Sequence, residues 1–204
     1  MIAAGAARVI VNMPPRHGKS EFGSKWLPAW FLDLWPERKI ILTSYEASVA
    51  SSWGRAVRNR LLENNPRTVE LAEDVQARKE WETKQGGGMI TAGSGGPITG
   101  RGGHLIVIDD PIKNWEEASS PVYRDKVWDW FQSTLYTRLE PGGSIIVLMH
   151  RWHEDDFSGR LLRESGDKWR HVILPAIAGD SDPLGSKPLE ALWPKRYPAE
   201  ILNE

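Results

Sequence analysis

Several short stretches of this sequence hold residue types that could do chemistry together. The first is Pro14-Pro15-Arg16-His17-Gly18-Lys19-Ser20, which directly follows the apolar run Arg8 to Met13. A Gly-Lys-Ser ending between a strand and a helix is how a phosphate-binding loop is built. Backbone N–H groups at the helix start cradle phosphate oxygens, helped by the positive end of the helix dipole. Lys19 is placed to reach the β and γ phosphates of a nucleoside triphosphate, ATP in the usual case, and the Ser20 hydroxyl to ligate Mg²⁺. The loop departs from G-x-x-x-x-G-K-[ST], because Met13 stands where the first Gly belongs and Arg16 lies inside. Pro15, Arg16, His17, Gly18, Lys19 and Ser20 are thus the candidate nucleotide-binding residues.

The second stretch is Leu105-Ile106-Val107-Ile108-Asp109-Asp110-Pro111, four apolar residues ending in two carboxylates. In a phosphate-loop hydrolase such a strand end brings one acid, here Asp109, to the Mg²⁺ shell. The next, Asp110, orients or activates the attacking water. Asp110 is one methylene shorter than the commoner Glu. A third stretch, His150 to Asp156, follows an apolar run and holds two His and three acids. His150 is placed to sense the γ-phosphate. The spacing is not that of a His-Glu-x-x-His metal site, and acids at a helix start are expected there to complement its dipole. The fourth, Gly86 to Gly103, is rich in Gly and reads as turns and close backbone approaches. It carries Arg101, which suits either an arginine finger, acting in cis or on a neighbouring subunit, or a solvated loop residue.

These groups need a scaffold that gathers strand ends. Strands are predicted over Arg8–Met13, Lys39–Ser44, Leu105–Ile108 and Ser144–Met149, with a short one at Val172–Leu174. Helices are predicted over Ser20–Trp35, with Pro28 kinking or dividing it, and over Ala47–Asn64, with Val49, Trp53, Val57 and Leu61 as its apolar stripe. Two more are expected, from Ser120-Pro121 to about Arg138 and over Glu154–Glu164. Continuously apolar strands alternating with helices imply an α/β, three-layer fold with a mostly parallel central sheet. Ligands in such sheets sit beyond the carboxyl ends of the strands, where the first three stretches begin or end.

Composition narrows the rest. The chain has 204 residues, 40% of them apolar and 26% charged, enough for one domain with a real core. No apolar run approaches the roughly 18 residues of a membrane span, and no secretory signal is visible, so no membrane partner is expected. The absence of Cys excludes disulfides, thiolate zinc sites and a Cys nucleophile. A net charge of -1 gives no whole-molecule attraction to nucleic acid, so any such contact must be local. Arg55, Arg58 and Arg60 form a basic helical surface that reads foremost as a solvated face. The Trp residues at 26, 30, 53, 128 and 130 read as core packing.

Taken together, several segments resemble the ATPase domain of the large terminase subunit of tailed bacteriophages. They are Pro14 to Ser20, Ile98-Thr99-Gly100-Arg101-Gly102, Ile108 to Lys113, Tyr136-Thr137-Arg138-Leu139, Arg151 to Asp156 and Leu174-Pro175-Ala176, in the family's order along nearly the whole chain. The resemblance implies a P-loop NTPase of the RecA/ASCE-like type that uses ATP and Mg²⁺ to package double-stranded DNA into a procapsid. Its implied partners are the portal protein and the small terminase subunit, in a ring of about five subunits. The place of work is the portal vertex, in the cytoplasm of an infected bacterium. The resemblance also implies an Arg in the phosphate loop and an Arg finger acting in trans, roles that Arg16 and Arg101 match. His150 stands where relatives usually have Thr, and their adenine-contacting segment precedes the first strand. Residues 1–178 are expected to be the ATPase domain and 179–204 a tail resembling the relatives' linker to a nuclease domain, with no nuclease activity in this chain. The other readings are a helicase-like translocase, which needs a second motor domain, and a nucleotide-binding fragment that assembles on the portal without turnover.

Overall fold

The computed structural model describes residues 5–63, 69–98 and 100–202. Its framework is an eight-stranded sheet in the order β3-β4-β5-β2-β6-β7-β1-β8. In chain order, β1 (Arg8–Asn12) leads into a π-helical stretch, Glu21–Trp26, that continues as α1 (Leu27–Leu34). Then come β2 (Lys39–Ser44), α2 (Ala47–Glu63), β3 (Leu71–Gln76), β4 (Glu80–Thr83), β5 (Gly88–Gly93) and β6 (Gly103–Asp109). The second half holds α3 (Trp115–Ser119), α4 (Pro121–Trp130), β7 (Leu139–Met149), α5 (Phe157–Ser165), β8 (Arg170–Ile173) and α6 (Ala199–Leu202). From β5 to β8 every neighbouring pair is parallel, while β4 runs antiparallel to both β3 and β5.

The central strands read as unbroken apolar runs because both of their faces are covered. Along β6, Leu105 and Val107 face a core shared with Phe31 and Leu32 of α1 and Val57 and Leu61 of α2. Ile106 and Ile108 face the opposite core, with Val127 and Trp130 of α4 and Phe157 and Leu161 of α5. That is the expected three-layer arrangement. Among the described residues no helix is long and apolar enough to cross a membrane.

Several expectations need correction. The sheet contains β3, β4 and β5, none of which the sequence suggests. β5 lies inside the Gly-rich stretch, where turns are expected. Its glycines serve close packing: a Cβ on Gly88, whose φ is +139°, would lie 2.3 Å from the Trp81 carbonyl oxygen of β4. The buried face of α2 is Ala50, Gly54, Val57 and Leu61, one position round from the stripe expected at Val49 and Trp53. The helix presses so close to β5 that a Cβ on Gly54 would meet Thr91 Cγ2 at 2.8 Å. The expected end of this helix at Asn64 lies outside the described residues. Trp26 and Trp30 are not core residues, because their helix buries Ser24, Ala29, Phe31 and Leu32 and leaves them half exposed. Arg60 of α2 instead stacks its guanidinium 4.7 Å above the Trp26 ring. The helix expected from Glu154 starts at Phe157, with Asp156 as its N-cap.

Candidate nucleotide site

Strand order determines which side chains can meet. β1, β7 and β6 are adjacent and parallel, so their carboxyl ends deliver the phosphate loop, His150 and the Asp109–Asp110 pair side by side. The loop turns tightly through Arg16 (φ +61°) and Gly18 (φ +90°), and the helix begins at Lys19. Crossing back over β7, Lys19 donates to Asp110 Oδ1 at 2.5 Å and lies 3.9 Å from Asp109 Oδ1. The Ser20 hydroxyl donates to Asp109 Oδ1 at 3.0 Å. One turn on, the Ser24 hydroxyl donates to the other oxygen, Oδ2, at 2.9 Å. A π-helical stretch in this position is a known companion of functional sites.

Asp110 has a φ of +43°, a conformation a non-Gly residue rarely adopts, and it ends the strand by turning its carboxylate toward the loop. Two backbone bonds hold this turn, from the Asp110 N–H to the Leu148 carbonyl (2.8 Å) and from the Tyr45 N–H to the Asp110 carbonyl (3.0 Å). His150 Nδ1 lies 3.3 Å from Asp110 Oδ1, at ion-pair distance though outside hydrogen-bond geometry, and its ring packs edge-on against Trp152 at 4.2 Å.

The two carboxyls have opposite electrostatics. Burial pushes the Asp109 pKa up to about 6, against the pull of Lys19 and the two serine hydroxyls. For Asp110, burial also acts upward, but His150 and Lys19 together outweigh it and hold the pKa below the ordinary carboxylate value. One acid is thus held above its ordinary pKa by burial, so its charged form gains from a nearby cation. The other stays ionised beside the space above the loop.

The structure therefore brings together Gly18, Lys19, Ser20, Asp109, Asp110 and His150. Pro15 and Arg16 lie exposed at the loop tip. His17 is buried, with its Nδ1 2.8 Å from the Pro15 carbonyl and its ring 4.7 Å from Tyr197. Arg101 is elsewhere. It precedes β6, at the amino end of the sheet, and β6's seven residues at about 3.3 Å each separate it from the carboxylates by roughly 20 Å. A finger role in cis is ruled out by that distance. Its guanidinium pairs with Glu80 at 2.5 Å.

Ser24 joins this cluster through Asp109 although no motif marks it; its i,i+4 relation to Ser20 places it on the same helix face. The Arg151–Asp156 stretch proves to be a helix-capping and pairing device. The Asp156 side chain accepts from the Gly159 N–H at 3.0 Å and from Arg151 Nε at 2.9 Å. Asp155 binds Arg160, Arg163 and Arg124, which hold its carboxyl far below the usual range. Among the described residues, no three His, Cys, Asp or Glu side chains gather in a metal-binding group. A Mg²⁺ ion at Ser20 and Asp109 needs no such group, since phosphate oxygens and water complete its shell.

The family described as "Terminase large subunit, T4likevirus-type, N-terminal" matches residues 10–192. Among solved structures, the large terminase of bacteriophage HK97 superposes with a TM-score of 0.54 at 12% identity, covering 86% of this chain and 37% of that one. The large terminase of a thermophilic bacteriophage gives 0.52 at 12% identity over 84% of this chain and 41% of that one. The same terminase in complex with ADP gives 0.50 at 12% identity, over the same shares. These likenesses establish a shared fold, and the chain spans about two fifths of the length of these terminases. No curated protein sequence matches it.

Proposed function

The chain belongs to the family of T4-like phage terminase large-subunit N-terminal domains, and on that premise we propose that it is the ATPase motor domain of a DNA-packaging machine. The carrying observation is the convergence of Lys19, Ser20, Asp109 and Asp110, drawn from two distant segments, on one sheet edge. Loop N–H groups and Lys19 hold the β and γ phosphates of ATP. Phosphate oxygens then replace Asp110 as the acceptor for the Lys19 ammonium, which frees that carboxylate to orient the attacking water. Ser20 and Asp109 are the residues that would hold Mg²⁺, with Ser24 anchoring the second oxygen of Asp109. The ion supplies charge neutralisation at the phosphates. His150, in contact with Asp110, reports the state of the γ-phosphate to β7.

Arg16 reaches the phosphates from within the loop. Arg101, too far from its own chain's loop, acts on the triphosphate of a neighbouring copy. A ring of about five copies would set each Arg101 edge against the next nucleotide edge. Such a ring at the portal of a procapsid, fed by the small terminase subunit, drives double-stranded DNA inward in the infected bacterium.

Steady-state phosphate release tests this reading. The expected result is Mg²⁺-dependent turnover per chain that rises with protein concentration, as copies meet, and is absent from Lys19→Ala. Equal turnover in that variant overturns the assignment.

A further inference from the structure

Beside the phosphate loop runs an apolar groove of about 1030 Å³ that the assigned residues do not use. Its floor is one face of β1 and β7, at Val9, Val11, Ile146 and Leu148, and its walls are the helix after the loop and the returning C-terminal segment. His17 and Lys19 line its loop end, Phe22 and Trp30 one wall, and Trp193 the other. Building on the nucleotide reading above, we propose that this groove takes the base of the bound nucleoside triphosphate, stacked on Phe22 and Trp193.

Three observations converge on this. First, the two rings flank the loop itself. A Cβ placed on Gly18 would lie 3.5 Å from the Phe22 ring and 4.0 Å from that of Trp193. The groove therefore opens at the loop that would hold the phosphates. Second, the rings are left open, Phe22 being 70% and Trp193 37% exposed. Exposed aromatic faces beside a phosphate site are what a flat π-system can cover, and base–aromatic stacking is a strong, sequence-tolerant contact.

Third, the C-terminal segment is fixed in place rather than draped. The Leu174 N–H bonds the Asn12 carbonyl at the end of β1 at 2.9 Å. Paired backbone bonds between Ala178 and residues 189–190, with Leu192 N–H to the Ala176 carbonyl, then return the chain to the loop. There Tyr197 packs on His17, and the Arg196 guanidinium lies 5.1 Å over Trp193. A stretch that reads in sequence as a linker thus supplies a wall of the site.

The lining is apolar apart from His17, Lys19 and Glu21. Few hydrogen-bonding groups face the base edge, so stacking holds the base without reading it. The ligand class is a purine nucleoside triphosphate with little distinction between adenine and guanine.

Calorimetric titration of the whole chain with Mg²⁺ and either ATP, GTP or inorganic tripolyphosphate tests this. Phe22→Ala and Trp193→Ala are each expected to weaken ATP about tenfold. Tripolyphosphate should bind these variants as it binds wild type, and Trp193→Phe should recover most of the loss. ATP and GTP should bind within about tenfold of each other. The base assignment is overturned by unchanged ATP affinity in both Ala variants, by an equal loss of tripolyphosphate (the rings then only brace the loop), or by strong discrimination between the purines. A wild-type chain that binds neither ATP nor tripolyphosphate overturns the nucleotide reading itself.

Discussion

The two ends of the parallel sheet are built on opposite principles. At the carboxyl end, Lys19, Ser24 and Asp109 are buried and Ser20 is half-buried; both serines donate to Asp109, and Lys19 donates to Asp110, which a left-handed backbone turn fixes in place. At the amino end, Arg101 sits on a glycine-rich connection, partly exposed, and one surface carboxylate, Glu80, holds it. Charges in the first group cost desolvation and are tolerated because each has partners. An exposed pair such as Arg101–Glu80 is worth at most about 1 kcal/mol and opens readily when a better anion arrives. The carboxyl end is preorganised to hold phosphates, and the amino end is arranged to offer a cation to something outside the chain.

Breaking the preorganised end at its water-positioning group should give the largest effect. Asp110→Asn is expected to lower hydrolysis by about two to three orders of magnitude while leaving ATP affinity within a few-fold. Equal loss of both would remove Asp110 from the water-positioning role. The offered end is tested by mixing. Arg101→Ala and Lys19→Ala are each expected to be inactive alone, yet mixed copies should recover part of the activity, because an intact Arg101 edge can then face an intact loop. Full activity of Arg101→Ala by itself would show that this end takes no part.

The smallest effect concerns the cost of burying Asp109. Its folded pKa, about 6, lies above the usual 3.8. The folded state therefore holds its proton more tightly, and stability falls as pH rises through that window. In chelator-treated protein, Asp109→Asn should be stabilising relative to wild type at pH 7.5, and by about 1 kcal/mol less at pH 5. Denaturant melts at the two pH values check this, and a pH-independent difference would mean that burial does not govern the group.

How much of this the sequence discloses follows the same division. Local signals are readable where chemistry and backbone coincide: Gly-Lys-Ser after a strand, two acids ending another, and Ser120-Pro121 opening α4. The positions of these elements relative to one another come from strand order, which no local pattern encodes. Arg101 is remote from the loop, although close to Asp109 in the chain, because the length of β6 lies between them. β4, with the sequence Glu-Trp-Glu-Thr, and β5, bounded by glycines, lack an apolar pattern because a strand near the sheet edge keeps charges outside and a crowded strand excludes Cβ atoms. Trp193 and Tyr197 are illegible as site residues because backbone pairing far along the chain, not any motif, carries them to Gly18 and His17.

The convergence at the carboxyl end is tested most directly by equilibrium binding of ATP with Mg²⁺ to wild type and Lys19→Ala, with circular dichroism confirming that both are folded. Loss of the ammonium is expected to weaken binding by at least about a hundredfold, as removing a buried charge partner of phosphates and carboxylates should. A folded Lys19→Ala chain that binds ATP as tightly as wild type would contradict the account.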